Sequence, residues 1–248
     1  MEGYQSLALF YDALMEDARY ADRARYILEI CRRFNHSAGK TLDLCCGTGN
    51  LTRELKRLGA DVFGVDGSVD MLSEAAQRGY EEDVNILYVN QLMQELSLPY
   101  KTDTCVCTLD SINHLTDARD VQKTFDAVSR ALNTDGLFIF DVNTVYKHRE
   151  ILGNNDFVLE ADGVLCAWQN SLIGDDVVEI TLDFFAEENG LYRRYSDFLR
   201  ERAYGFDELK AMLGGSGFKV LALYGDLTFE PPARDEQRVI FVARKTEK

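Results

Sequence analysis

The chain has 248 residues, 46% of them hydrophobic, and a formal net charge of −15. This length suits one large α/β domain, and the composition excludes extensive disorder. Because so negative a charge opposes the phosphate neutralisation on which nucleic-acid affinity depends, a nucleic acid is disfavoured as a partner. No window approaches the roughly 18 apolar residues of a membrane span, and the N-terminus lacks a signal-peptide layout. We therefore expect a cytoplasmic protein without a membrane partner, as a monomer or homodimer.

The first half of the chain alternates helical and strand patterns. Apolar residues at helical spacing predict helices at 4–16 and 20–34. Five apolar strands follow, "TLDLCC", "DVFGVD", "NILYVN", "TDTCVCTLD" and "GLFIFDV", with helices near 50–59, 68–79 and 117–132. This alternation is typical of a parallel, doubly wound sheet.

The pattern changes after Asn143. Residues 156–204 alternate in period two, with turn signals at Asp162–Gly163, Gly174–Asp175 and Asn189–Gly190. We therefore predict an antiparallel β insertion over about 150–204, after the fifth strand. A helix in "GFDELKAMLGGSGF" and strands in "KVLALYG" and "QRVIFVARK" complete a seven-stranded, mostly parallel sheet.

A glycine turn, "TLDLCCGTGN" at 41–50, follows the first strand, where open α/β sheets bind ligands. It departs from the dinucleotide pattern GxGxxG, because Thr52 occupies the third glycine position. Asp43, four residues before Gly47, would repel a phosphate and attract an ammonium group. Asp66 ends the second strand, where a carboxylate accepts hydrogen bonds from ribose hydroxyls. A ribose and a cation without a phosphate describe S-adenosylmethionine.

The segments "LDLCCGTGNL" and "VFGVDGSVDML" resemble the first two motifs of the class I S-adenosylmethionine-dependent methyltransferases. By order of elements the resemblance extends over residues 1–248, as one methyltransferase domain. The insertion is similar to that of the small-molecule branch, which contains glycine and sugar N-methyltransferase-like enzymes. The resemblance implies a Rossmann-like sheet, S-adenosylmethionine as donor, S-adenosylhomocysteine as product, and an N-terminal helical lid within residues 1–36 that contains "YDALM".

The resemblance also implies the donor contacts. Asp43 would serve the amino group, Asp66 the ribose, and Val65 and Met71 the adenine. "VNQLMQELSLP" resembles family segments that read Gln-Asp-Met, so Leu92 stands where an aspartate usually accepts from the adenine amine. The full predicted donor site comprises Asp43, Cys45, Gly47, Thr48, Gly49, Asp66, Gly67, Met71, Gln91, Leu92 and Asp110.

On the acceptor side, Asp110, His114 and Tyr11 are the titratable residues that could act as a base, and Tyr11, His114 and Asn143 are expected to line the acceptor. A base is optional, since alignment of donor and acceptor can supply much of the acceleration. His36 and His148 lie in polar segments, and we expect both to be solvated. No metal site is predicted, because the cysteines form no CxxC pair.

Several functions remain open at the sequence level. The favoured one is methyl transfer to nitrogen or oxygen of a small molecule. "LDSINH" differs from the Asp/Asn-Pro-Pro-Tyr type used on amide and base nitrogens. The alternatives are an RNA or protein methyltransferase on the same fold, a noncatalytic S-adenosylmethionine-binding protein and, more distantly, a nicotinamide oxidoreductase.

Overall fold

The computed structural model describes residues 8, 10–12, 15, 18–161 and 163–247. Of the predicted helix at 4–16, residues 8 and 10–12 are helical and residue 15 is in a turn, and the remainder lies outside the described residues. Asp162, in one predicted turn of the insertion, lies outside them as well.

The helices and strands occupy the predicted segments, with bounds shifted by a few residues. The helices are α1 (Tyr20–Arg33), α2 (Asn50–Arg57), α3 (Val69–Glu81), α4 (Ala118–Ala131) and α5 (Phe206–Gly215). The strands are β1 (Lys40–Leu44), β2 (Asp61–Asp66), β3 (Tyr88–Asn90), β4 (Thr102–Cys107), β5 (Leu132–Asn143), β6 (Asp156–Ala161), β7 (Val164–Ile173), β8 (Val177–Glu188), β9 (Leu191–Arg202), β10 (Phe218–Gly225) and β11 (Arg238–Lys245). Short 3₁₀ turns lie at Met93–Glu95 and Ser111–His114, and a π-helical segment at Lys147–Leu152.

Two helices begin at side-chain caps that their sequences supply. The Ser68 hydroxyl accepts a hydrogen bond from the backbone N–H of Met71 at the start of α3, and Asp117 accepts one from Arg119 at the start of α4. Such caps satisfy N–H groups that the first helical turn leaves unpaired.

No helix in the described ranges is both long and apolar enough to cross a membrane. The cytoplasmic location stays a prediction.

Seven strands form one sheet in the order β10-β11-β5-β4-β1-β2-β3. Neighbours pair in parallel from β5 to β3, whereas β11 is antiparallel to both β5 and β10. The predicted α/β fold with a mostly parallel seven-stranded sheet is therefore confirmed. Because β1, β2, β4 and β5 run in the same direction, their carboxyl ends meet at one edge of the sheet.

Both faces of this sheet are covered by helices. Along β5, Leu137 and Ile139 pack on the side of α1 and α2, in one cluster of buried residues. Phe138 and Phe140 point to the opposite side and pack in the cluster that contains residues of α4 and α5. Alternate residues of the strand thus serve two cores, as a doubly wound sheet requires.

A second, four-stranded antiparallel sheet follows β5 in the chain, in the order β6-β7-β8-β9. Its apolar face packs with the N-terminal segment, and the Phe10 ring centroid lies 5.1 Å from that of Phe184. Asn113 ties this sheet to the large one, because its amide donates to the backbone carbonyls of Asn143 in β5 and Arg202 in β9. The small sheet is thereby held beside the carboxyl edge of the parallel strands.

Candidate active site

A cavity of about 280 Å³ lies at this carboxyl edge, between the large sheet, the N-terminal segment and the small sheet. Nine residues of the predicted site line it: Tyr11, Cys45, Gly47, Asp66, Gly67, Met71, Leu92, Asp110 and His114. Other lining residues come from β7, β8 and β9, namely Trp168, Ile180, Leu182, Leu199 and Glu201. The small sheet therefore forms one wall of the cavity.

A smaller cavity of about 40 Å³ adjoins the first and shares Tyr11, Cys45 and Gly47 with it. Two further predicted donor residues, Asp43 and Thr48, line this second cavity. The remaining predicted residues, Gly49, Gln91 and Asn143, line neither cavity.

The two glycines of the turn have different surroundings, although both have positive φ. A Cβ added to Gly47 would meet no atom within 4 Å, so a ligand can approach the backbone there. A Cβ added to Gly49 would collide with the Tyr88 hydroxyl and crowd Ala75. Gly49 thus permits close packing within the protein, whereas Gly47 leaves space on the cavity side.

Asp43 is almost completely buried, and its carboxylate accepts a hydrogen bond of 2.6 Å from the Thr52 hydroxyl. Burial raises the pKa of Asp43 to about 7, against the effect of that hydrogen bond, and the nearby charge of Asp66 raises it further. Thr52, the residue that breaks the dinucleotide pattern, is therefore the partner of the buried acid. A cation beside Asp43 would stabilise its ionised form.

Asp66 is held by the backbone of two turns. One carboxylate oxygen accepts from the N–H of Gly47 at 2.9 Å and the other from that of Ser68 at 2.8 Å. Burial nevertheless raises the pKa of Asp66. Since each carboxylate oxygen can accept more than one hydrogen bond, both retain capacity for a ribose hydroxyl.

Gln91 and Leu92 are adjacent in the chain, but their side chains have different surroundings. The side chain of Gln91 donates to the carbonyl of Ser97 and accepts from its N–H, at 3.1 and 2.9 Å. These bonds close the loop that carries Leu92 and Met93, both of which line the main cavity. Gln91 thus shapes the loop, while Leu92 presents an apolar surface to the cavity.

Asp110 is an ion-paired carboxylate. It accepts from Arg238 Nη2 at 2.7 Å and from Asn143 Nδ2 at 2.9 Å. Burial raises the pKa of Asp110, but the positive charges of Arg238, Lys147 and His114 outweigh burial and bring the pKa below its usual range. So weak a base is a poor proton acceptor near neutral pH, which favours an electrostatic role over general-base catalysis.

Tyr11 and Asn143 also have limited scope as bases. Burial raises the pKa of Tyr11 well above its usual value, so the hydroxyl stays protonated near neutral pH and can donate a hydrogen bond. Asn143 lies behind the cavity wall, where its amide donates to Asp110 and, at 3.1 Å, to Glu201. Among the predicted acceptor residues, His114 is left as the group suited to accept a proton.

Sequence reasoning missed a buried network beneath Asp110. The carboxylate of Asp141 accepts from the backbone N–H groups of Leu109 and Asp110, at 2.8 and 2.7 Å, and pairs with Arg238 at 2.6 Å. Arg23 lies 3.6 Å from its other oxygen. The one signal in the sequence was an acid between Phe140 and Val142 in an otherwise apolar strand.

The prediction that His148 is solvated is wrong. The residue is fully buried, and its Nε2 lies 3.4 Å from an oxygen of Glu201. The π-helical segment that carries it packs against β7 and β8 of the small sheet. A local polar sequence could not reveal this, because the burying strands lie further along the chain. The prediction for His36 also fails in part, since its ring is half-buried and lies 3.0 Å from the Thr104 hydroxyl.

Comparisons with known proteins agree with this geometry. Residues 41–136 match the family described as a methyltransferase domain. A protein of Geobacillus sp. (strain WCH70), whose name describes it as a candidate methyltransferase, is 33% identical over 98% of this chain and 99% of its own. The crystal structure of an S-adenosylmethionine-dependent methyltransferase from Clostridium acetobutylicum ATCC 824 is 32% identical and superposes with a TM-score of 0.89, covering 98% of this chain and 99% of that one. A glycine/sarcosine N-methyltransferase of Aphanothece halophytica is 25% identical over 92% of this chain and 83% of its own.

Identity of this extent over nearly the whole of both chains shows the family. The chain belongs to the class I S-adenosylmethionine-dependent methyltransferases. It is an enzyme of that class.

Proposed function

We propose that this enzyme transfers the methyl group of S-adenosylmethionine to the nitrogen of a small-molecule amine. The observation that carries the proposal is the acceptor side of the main cavity, where Asp110, Glu201 and His114 meet with ligating atoms within 4.8 Å of one another. Carboxylates attract a cationic acceptor, and an imidazole can take the proton that an ammonium must lose before its nitrogen attacks.

The donor side fits S-adenosylmethionine. The backbone at Gly47 is open to a ligand, and Asp66 has acceptor capacity for ribose hydroxyls. Asp43 is a buried acid whose ionised form a cationic group would stabilise. Met71 and Leu92 provide apolar surface for the adenine ring. The side chain of Leu92 offers the adenine amine no hydrogen-bond acceptor. The donor would thus be held along the two adjoining cavities.

The bound donor supplies an electrophilic methyl group on a sulfonium sulfur. The residues of this chain have to align the acceptor with it and exclude water. Asp110 is held ionised by Arg238 and so keeps a fixed negative charge at the wall. Tyr11 lines both cavities and can donate a hydrogen bond between them.

A small acceptor is supported by the shape of the site. Trp168, Ile180 and Leu182 of the small sheet bound the cavity opposite the parallel strands. A nucleic-acid duplex or a folded protein would need an open cleft here, and the net charge of −15 adds to the case against nucleic acid. The similarity to a glycine/sarcosine N-methyltransferase gives further support.

The proposal can be tested with methyl-labelled S-adenosylmethionine and a cell extract separated into metabolites, RNA and protein. We expect label in the metabolite fraction, and fragmentation by mass spectrometry should locate it on nitrogen. Label on oxygen, or label confined to RNA or protein, would contradict the proposal. Glycine, sarcosine and amino sugars are the first pure amines to test.

A further inference from the structure

Glu201, at the end of β9, joins two histidines. Its side chain is almost completely buried but lines the main cavity. One carboxylate oxygen lies 3.9 Å from Nε2 of His114, at the cavity wall, and the other lies 3.4 Å from Nε2 of His148, in the protein interior. Asn143 donates to the second oxygen at 3.1 Å. The carboxylate is therefore fixed on one side and directed at His114 on the other.

His148 lies fully buried in the π-helical segment. Both its ring nitrogens are buried, and neither has a hydrogen-bond partner within the part of the chain that the structure describes. Burial of an unsatisfied imidazole costs stability unless a neighbouring group compensates. The Glu201 carboxylate, 3.4 Å from Nε2, is the polar neighbour that the geometry offers.

The charges around the cavity differ in how far they are neutralised. Asp110 is paired with Arg238 at 2.7 Å. By contrast, no lysine or arginine among the described residues lies within ion-pair distance of Glu201, whose two histidine neighbours carry a charge only when they are protonated. Glu201 is thus the carboxylate of the acceptor wall whose charge is most available to a cationic ligand.

We propose that Glu201, held by the hydrogen bond from Asn143, is the acceptor-recognising residue of this site. The inference rests on the proposed N-methylation. Glu201 attracts the acceptor as an ammonium ion, and His114 takes one proton from it to give a neutral amine and an imidazolium that Glu201 stabilises. The nitrogen lone pair then forms the bond to the methyl carbon as the carbon–sulfur bond breaks. The electron pair of the broken carbon–sulfur bond stays on sulfur, and the methylated amine leaves as a cation. His114, which lines the cavity, returns its proton to water.

The same three side chains could also attract a metal ion, since Asp110, His114 and Glu201 are all of ligating types. The contacts of Asp110 favour the amine. Both its oxygens already accept hydrogen bonds, one from Arg238 and one from Asn143, so a divalent metal bound here would lie close to the positive charge of the guanidinium. A metal ion bound at these three side chains would overturn the proposal.

The first experiment follows the histidine ring resonances by NMR as a function of pH. The chain has only three histidines, so each can be assigned by substitution. Glu201→Gln removes the charge but keeps the shape, and the His114 titration should then move to lower pH, because a neighbouring negative charge is lost. The groups that share the cavity wall with His114 include Asp66, Asp110 and Tyr11, and the substitution changes none of them.

The matched control is Glu179→Gln, which removes a carboxylate of the same sheet that pairs with Arg200 outside the cavity. It should leave the His114 titration in place. His36, beside Thr104, serves as the internal reference and should not move in either variant. If Glu201→Gln does not fold, Glu201→Asp, which withdraws the charge by one methylene, should give a smaller shift in the same direction.

An unchanged His114 titration in Glu201→Gln would overturn the inference. So would a His114 resonance that titrates only after a chelator is added, because a bound metal would then occupy the site.

The second readout is kinetic. With the amine found in the extract experiment, Glu201→Gln should raise the KM for the amine at least about tenfold while the Kd of S-adenosylhomocysteine stays within about twofold. Absence of any methylated amine from the wild type would defeat the proposed function, whereas a wild-type KM in Glu201→Gln would defeat only this inference.

Discussion

The pKa values of two aspartates near the ends of neighbouring strands, Asp43 and Asp110, are shifted in opposite directions. Burial raises the pKa of Asp43 to about 7, despite the hydrogen bond from Thr52. Burial also acts on Asp110, but Arg238 and its neighbours bring the pKa of that carboxyl below its usual range. The smaller cavity thus contains an acid that titrates near neutral pH, and the main cavity contains one that stays ionised.

The first prediction concerns Asp43 and pH. A ligand cation interacts better with ionised Asp43, so the affinity for S-adenosylhomocysteine should rise as pH increases towards 7 and level off above it. Below the pKa the slope should approach about tenfold per pH unit. Isothermal titration calorimetry from pH 5 to 8 measures this. Asp43→Asn should show a flatter profile, and an equal slope in both proteins would remove Asp43 from the donor site.

The same shift has a consequence for the ligand-free protein. An unfolded aspartate ionises near 3.8, whereas Asp43 in the folded protein ionises near 7. Between these values the native state binds the extra proton, so this group makes the free energy of unfolding fall as pH rises from about 4 to about 7. Above pH 7 its contribution is constant. Urea denaturation of the wild type and Asp43→Asn should therefore diverge with pH in that window.

The second prediction concerns Asp66. Asp66→Asn should weaken S-adenosylhomocysteine binding by about 1.5–3 kcal/mol, or roughly 10–150-fold in Kd, because hydrogen bonds to a charged acceptor are lost. Asp61→Asn is the matched control, since Asp61 lies at the exposed start of the same strand. A change of less than twofold in Asp66→Asn would mean that the ribose binds elsewhere.

At the scale of elements, the turn after β4 carries the acceptor wall in a strained conformation. Leu109 and Asp110 have φ values of +57° and +55°, which cost energy for residues other than glycine. The Asp141 carboxylate of β5 accepts from both backbone N–H groups and so holds the turn. Arg238 of β11 pairs with Asp141 and Asp110 together. Three elements thus fix one side chain at the cavity.

The third prediction tests this network. Asp141→Asn should lower the free energy of unfolding by about 1.5–3 kcal/mol, because it removes a charged acceptor of two backbone N–H groups and one of the two anions that pair with Arg238. Asp176→Asn is the control, since Asp176 pairs with Arg149 on the surface, and its loss should cost at most about 1 kcal/mol. Urea denaturation measures both. Equal losses in the two variants would show that Asp141 does not support the turn.

Elements were easier to predict than their polar contacts. The periodicity of apolar residues predicts strands and helices. Asp43, Gly47 and Asp66 lie at two strand ends, so short segments of sequence indicate them. The pairing of Asp110 with Arg238 spans 128 residues, and nothing local indicates it. Glu201 was missed for a related reason, because the sequence predicts that an insertion forms but not which of its strand ends faces the cavity.

In the whole molecule, two sheets share one site. The parallel sheet supplies the glycine turn and Asp66, and the antiparallel sheet supplies Glu201 and an apolar wall. Asn113 joins the sheets at their adjacent strand ends. The N-terminal segment adds a further contact, since the carboxylate of Asp12 accepts from Thr48 and Asn50 on the glycine turn. The walls of the shared site are therefore positioned relative to each other by a few polar contacts.

The central claim is that this shared site binds S-adenosylmethionine and its product, which contain no phosphate, and does not bind a dinucleotide. Thermal unfolding tests it most directly, because a ligand that binds only the native state raises the melting temperature. At about one hundred times its Kd, S-adenosylhomocysteine should stabilise the wild type by about 2.7 kcal/mol, which for this size is roughly 5–10 °C. NAD at the same concentration should have no effect, since Asp43 repels its pyrophosphate. An equal shift with NAD, or no shift with S-adenosylhomocysteine, would contradict the account.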